Sequence, residues 1–134
     1  MADLNKGQTF LDLSATNYYG TKGKFFITLS NAEVEDDLVV CFVMNTEKRM
    51  NKYHLLCNKN HQRFIIAPKT FSFISEYTSI MLVKEVFYEY SEFFQDHIKL
   101  KDVADDILVR QIKNCLDFNY LTQKATRLIK DSFK

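Results

Sequence analysis

Seven consecutive apolar residues, Leu38-Val39-Val40-Cys41-Phe42-Val43-Met44, constrain this chain more than any other stretch. A run that short and that rich in β-branched side chains, with nothing polar to turn toward water, predicts a strand buried on both faces. It is therefore expected to be the central strand of a sheet. It leads straight into Asn45-Thr46-Glu47-Lys48-Arg49, so a core strand delivers a polar, basic tip.

The segments around it read as further short strands. Thr9–Leu13, Lys24–Leu29, Tyr53–Cys57, Arg63–Ala67, Thr70–Ile74, Ser79–Val83 and Val86–Tyr90 carry β-branched and aromatic residues. For the last of these, a helix across Lys84 to Phe94 is the competing reading. Pro68 lacks an N–H and is expected to end a segment at a turn. Ser14 to Gly23, with Asn17-Tyr18-Tyr19-Gly20, reads as a turn-rich loop, and Ser30 to Asp37 as a polar, acidic connection.

From Lys101 the apolar spacing becomes helical, at Ala104, Ile107, Leu108, Ile112 and Cys115. Asp102 is placed as the N-cap, with Asp105 and Asp106 in the first turn where the helix dipole favours acids. Phe118-Asn119-Tyr120 breaks this helix and Thr122 caps another, striped by Ala125, Leu128, Ile129 and Phe133. The expected fold is mainly β within the α+β class: a small SH3-like antiparallel barrel or curled sheet followed by two C-terminal helices. One domain spans residues 1–134, with the β part over about 8–95 and the helices over about 101–134.

At 134 residues with 46% hydrophobic composition, such a chain buries enough surface to fold without metal or disulfide struts. Cys41, Cys57 and Cys115 are an odd, scattered set and are read as three reduced, mostly buried thiols. The N-terminal residues lack an apolar signal region, and no apolar run approaches the roughly eighteen residues of a membrane span. A cytoplasmic protein with no membrane partner is expected.

Net charge is only +1, but its distribution is uneven. Between Lys48 and Ser75 lie Lys48, Arg49, Lys52, Lys59, Arg63, Lys69, His54 and His61, without one Asp or Glu. Acids flank this window at Glu33, Glu35, Asp36 and Asp37, and again from Glu76 to Asp96. Two readings compete: an ordinary solvated loop, or a positive surface for phosphate or an acidic partner. Phosphate-loop, zinc-protease and serine-hydrolase motifs are missing, so no cofactor or metal is called for. What remains is metal-free acid–base chemistry, in which a cation stabilises a phosphate and a histidine moves protons. An unperturbed histidine titrates near neutral pH, which suits that task. Tyr77, Thr78 and Ser79 are further phosphate contacts on this reading, and Tyr53 and Phe71 offer stacking faces.

Three segments resemble the MazF/PemK-type toxin superfamily. Gly23-Lys24-Phe25-Phe26-Ile27-Thr28-Leu29-Ser30 is similar to its strand written Gly-basic-basic-Pro-apolar-Val-Leu-Ser, and Val39 to Thr46 to the following strand with its Thr tip. His61-Gln62-Arg63-Phe64-Ile65 resembles the His-Pro-Phe-Ile segment of the PemK-like branch, and Ser75 to Ile80 its Ser-Tyr-Val strand. The order agrees over about residues 8–83.

The resemblance implies an SH3-like barrel that cleaves single-stranded RNA without metal, as a homodimer neutralised by an antitoxin-like protein. It places catalysis at Lys24, Thr46 and His61; joined to the basic window, the catalytic set is Lys24, Thr46, Arg49 and His61, with Lys24 and Arg49 on the scissile phosphate and His61 or His54 as acid or base. Lys48, Lys52, His54 and Arg63 then bind substrate. Four positions depart from the family: Phe25 replaces a Pro, Lys24 an Arg, Glu47 the Ser after Thr46, and an extra residue separates His61 from Phe64. Lysine is a point charge and not a bidentate fork. The alternative is therefore a non-catalytic SH3-like module whose basic window binds an acidic protein or nucleic acid. A third reading is a subunit whose aromatic surface is covered in an oligomer.

Overall fold

The computed structural model describes residues 4–16, 22–32 and 37–134. The turn expected at Asn17 to Gly20 and the acids Glu33, Glu35 and Asp36 lie outside the described residues. Among the described residues eight strands form one antiparallel sheet: β1 (Gln8–Thr16), β2 (Lys22–Thr28), β3 (Leu38–Thr46), β4 (Leu56–Asn58), β5 (Arg63–Ile66), β6 (Thr78–Met81), β7 (Val86–Glu89) and β8 (Ile98–Val103). Two helices follow, α1 (Asp106–Cys115) and α2 (Gln123–Ser132). The strand order is β4-β5-β6-β3-β2-β1-β8. The result is the mainly β, α+β fold in its curled-sheet form.

β3 is central because both of its sides are paired along its length. β2 lies on one side; on the other, β7 takes the first half, from Leu38↔Glu89 to Cys41↔Val86, and β6 takes the second, from Met44↔Ile80 to Thr46↔Thr78. The register sorts its side chains. Phe25↔Met44 and Ile27↔Phe42 face one core, whereas Phe26↔Val43 and Thr28↔Cys41 face the other way.

The larger core joins Ile27, Val40, Phe42, Met44, Phe64 and Ile80 to the helices through Val109, Ile112, Leu128 and Ile129. Each fully buried aliphatic of this kind contributes roughly 1.5–3 kcal/mol. The smaller core is aromatic: Phe10 stacks on Phe26 at 5.4 Å and meets Tyr88 and Phe93 edge-on at 5.1 and 5.0 Å. Gly7 lets the start of β1 approach α1. Its φ is +96°, and a Cβ there would stand 2.9 Å from a methyl of Val109.

Four expectations are corrected. Thr70–Ile74 is not a strand: Lys69 adopts φ +69°, Thr70 N–H bonds Ala67 O, and Ile74 N–H bonds Phe71 O, so the chain after Pro68 coils on itself and drops Phe71 and Ile74 into the core. The helix N-cap is Asp105, whose carboxylate accepts from Leu108 N–H; Asp102 belongs to β8 and accepts from the N–H and hydroxyl of Ser72, each at 2.7 Å. The strand expected over Tyr53–Cys57 starts only at Leu56, because Tyr53 to Leu55 curl around the Asn58 amide. The cysteines are not all reduced thiols. Cys57 of β4 and Cys115 at the end of α1 form a disulfide with their Cα atoms 5.6 Å apart, and Cys41 alone is free and buried. A sequence separation of 58 conceals that pairing until the helix packs beside β4.

Of the remaining elements, Val86–Glu89 is a strand and not the start of a helix; a 3-10 turn from Tyr90 to Phe94 follows it. Thr122 caps α2 through Ala125 N–H, and Ala125, Leu128 and Ile129 are its buried stripe. No described helix is long and apolar enough to cross a membrane.

Candidate nucleic-acid interface

The tip of β3 exposes Thr46 and then buries Glu47, which is 8% exposed. One Glu47 carboxylate oxygen accepts from Arg49 N–H at 3.0 Å; the other accepts from the Ser79 hydroxyl and an Arg63 Nη–H, both at 2.6 Å. Burial pushes this carboxyl up, but the hydrogen bonds from Ser79, Arg49 and Arg63, with the guanidinium charge, outweigh it and hold Glu47 below its usual value. The sheet register creates the contact. Asn45 pairs with Ser79 and Arg63 with Met81, so the three strands present these groups on one side. A shallow cleft of about 320 Å³ opens there, lined by Thr46, Lys48, Arg49 and Arg63.

Beyond Arg63 the surface continues. Its guanidinium lies 4.9 Å over the Tyr53 ring, and Tyr53 meets His61 edge-on at 5.3 Å. A second cleft of about 200 Å³ is lined by Lys52, His54, Lys59, Asn60 and His61. Its shape is fixed from below. The buried Asn58 amide donates to His54 O and Leu56 O, and Gln62, in a left-handed conformation at φ +48°, donates to Lys59 O and Cys115 O and accepts from Asp117 N–H. Gln62 accounts for the extra residue before Phe64: it fastens the histidine turn to the end of α1. Lys59 also caps that helix, donating to Asn114 O and Leu116 O.

The expected site residues are thus divided among three places. Thr46, Lys48, Arg49 and Arg63 share the first cleft; Lys52, His54 and His61 share the second. Arg63 is also tied to Glu47 and lies over the Tyr53 ring. Lys24 lines neither cleft. It pairs across the strands with Asp12, and because its neighbour Phe25 pairs with Met44, strand alternation puts Lys24 on the opposite sheet face from Thr46, the face that carries Asn45, Ser79 and Glu47. Of the further phosphate contacts, Ser79 is engaged by Glu47 and the Thr78 hydroxyl by Glu76 O, while Tyr77 is exposed. Phe71 is buried and offers no stacking face.

Sequence reasoning missed Glu47 as an organising residue. The signal was present: it is the acid immediately before the one-sign window, and it stands where the resembling family has a serine. No protein-family model, curated protein or solved structure matches the chain.

Proposed function

We propose that this face binds single-stranded RNA through its phosphates, in the manner that the toxin-like resemblance implies. One observation carries the reading. Lys48, Arg49 and Lys52 are exposed beside the two clefts and make no ion pair or side-chain hydrogen bond among the described residues, while the adjoining acid, Glu47, is buried and occupied by Arg63. Cations arranged this way displace the counterions of a nucleic-acid backbone. A cleavage step on this face draws on Thr46, Arg49 and His61, with His54 near the second cleft; Lys24 lines neither cleft. An antitoxin-like partner, on the same reading, is an acidic chain that covers this face. A homodimer and a cytoplasmic setting belong to the proposal, although a reducing cytoplasm would work against the Cys57–Cys115 bond.

The test is fluorescence anisotropy with a labelled single-stranded RNA across a salt series. Affinity should fall with salt, and Lys48→Glu, Arg49→Glu and Lys52→Glu together should abolish binding. In single variants, the slope of log affinity against log salt should become shallower by about 0.7 for every phosphate no longer neutralised. Salt-independent binding, or full binding by the triple variant, overturns the proposal. Gel analysis of the same RNA in EDTA then separates binding from cutting, with His61→Ala and Lys24→Ala as the informative pair.

A further inference from the structure

Thr46 belongs to two clefts at once. On one side it opens onto Lys48, Arg49 and Arg63. On the other it lines a smaller recess of about 110 Å³ together with Phe25, Met44, Phe73, Glu76 and Thr78. Phe25 and Phe73 are stacked with ring centroids 4.4 Å apart and planes within 16°, and both are only half-buried. Phe71 extends the stack inward at 5.6 Å. The recess is therefore the outer end of a column of parallel aromatic rings. Its rim is polar: the Thr46 hydroxyl and the exposed Glu76 carboxylate make no hydrogen bond or ion pair among the described residues.

We infer that this recess takes one nucleobase of the RNA whose phosphates lie on the basic face, and that it prefers cytosine; the inference rests on the binding proposed above. Sites for drug-sized ligands run roughly 300–1,000 Å³, so a recess of about 110 Å³ suits a single flat ring. A planar aromatic column is what a splayed base stacks on. Glu76 supplies the choice between pyrimidines. A carboxylate accepts from the 4-amino group of cytosine, whereas uracil would set its O4 acceptor against it. Glu76 also argues against an acidic peptide in this recess, because like charges would meet there. The shared residue, Thr46, lines both the base site and the phosphate site.

The experiment compares short labelled oligonucleotides of cytidine, of uridine and of abasic sugar-phosphate. The protein should bind the cytidine strand about tenfold more tightly than the uridine strand. Phe25→Leu keeps an apolar side chain for packing but removes the outermost ring of the column. It should weaken cytidine binding about tenfold and leave abasic binding and its salt dependence unchanged. Glu76→Gln, which both donates and accepts, should bring the cytidine-to-uridine ratio close to one. Salt-dependent binding that is equal for all three strands overturns the base pocket and leaves the phosphate face standing. A cytidine preference untouched by both substitutions also overturns it, since the choice would then be made elsewhere. No salt-dependent binding to any strand overturns both proposals.

Discussion

Two carboxylates, Asp12 and Glu47, are buried among the described residues, and they are built alike. Asp12 accepts from the Tyr88 hydroxyl at 2.6 Å and from the Ser14 hydroxyl and N–H at 2.7 and 2.9 Å. Burial pushes its carboxyl up, but those bonds, helped by the charge of His97, hold it below the usual value, as at Glu47. The difference lies in the donors. Those bonded to Asp12 are neutral, and one of them, Tyr88, belongs to the aromatic core, so the acid fixes packing. One donor to Glu47 is a guanidinium at the basic face, so that acid sets how much positive charge the face presents. The same local chemistry serves structure in one place and the charge of a surface in the other.

The contrast can be broken at several levels. Cys57→Ser with Cys115→Ser should have the largest effect, a loss of roughly 2–4 kcal/mol in urea unfolding. Amide protection should fall first around β4, β5 and the histidine turn, beside Glu47; equal losses around Asp12 would show that the two regions do not respond separately. Tyr88→Phe should cost about 2 kcal/mol by leaving a buried carboxylate short of a donor. RNA affinity should be unchanged in that variant, and any drop would mean that Asp12 also reaches the face. Glu47→Gln should cost about 1 kcal/mol, since the pair it breaks is partly solvated. It should raise RNA affinity several-fold by releasing Arg63; a fall in affinity would mean that the pair orients Arg63 for binding.

The smallest effect is in pH. Both acids titrate lower in the folded state, so each adds stability that is present above about pH 4 and lost as pH falls through the depressed folded values. Burial and the bond to Asp12 raise the Tyr88 phenol, so its contribution is complete below about pH 10 and is lost as pH rises beyond it. In thermal melts across pH, Asp12→Asn and Glu47→Gln should each flatten the acid limb, and Tyr88→Phe the alkaline one. An unchanged limb would show that the group titrates alike in folded and unfolded chains.

The sequence makes the central strand legible because Leu38 to Met44 has no solvent-facing alternative, and it makes α2 legible through the Thr122 cap and its 3.6-residue stripe. β8 is hidden because only Ile98 of its six residues is buried, so the apolar signal is too thin to register. The turn after Pro68 is hidden for the opposite reason: Thr70 to Ile74 alternates like a strand, and only the positive φ of Lys69 diverts it. In the candidate site, the basic window is visible as composition. Its arrangement is not, because the Glu47–Arg63 pair, the Tyr53 stack and the separation of Lys24 from Thr46 all depend on strand register.

Among the described residues the sheet does not close, so the strands at its two ends, β4 and β8, each have one side without a neighbour. Such free sides invite other chains to add on. At one end the invitation is short: β4 offers three residues, held to α1 by the disulfide. At the other it is longer but charged, because β8 carries Lys99 and Lys101 beside the exposed Leu100 and Val103. The lysines that leave β8 without a clear strand signature also repel a second copy of the same strand. The segment hardest to recognise in the sequence is thus one whose charge works against edge-to-edge pairing.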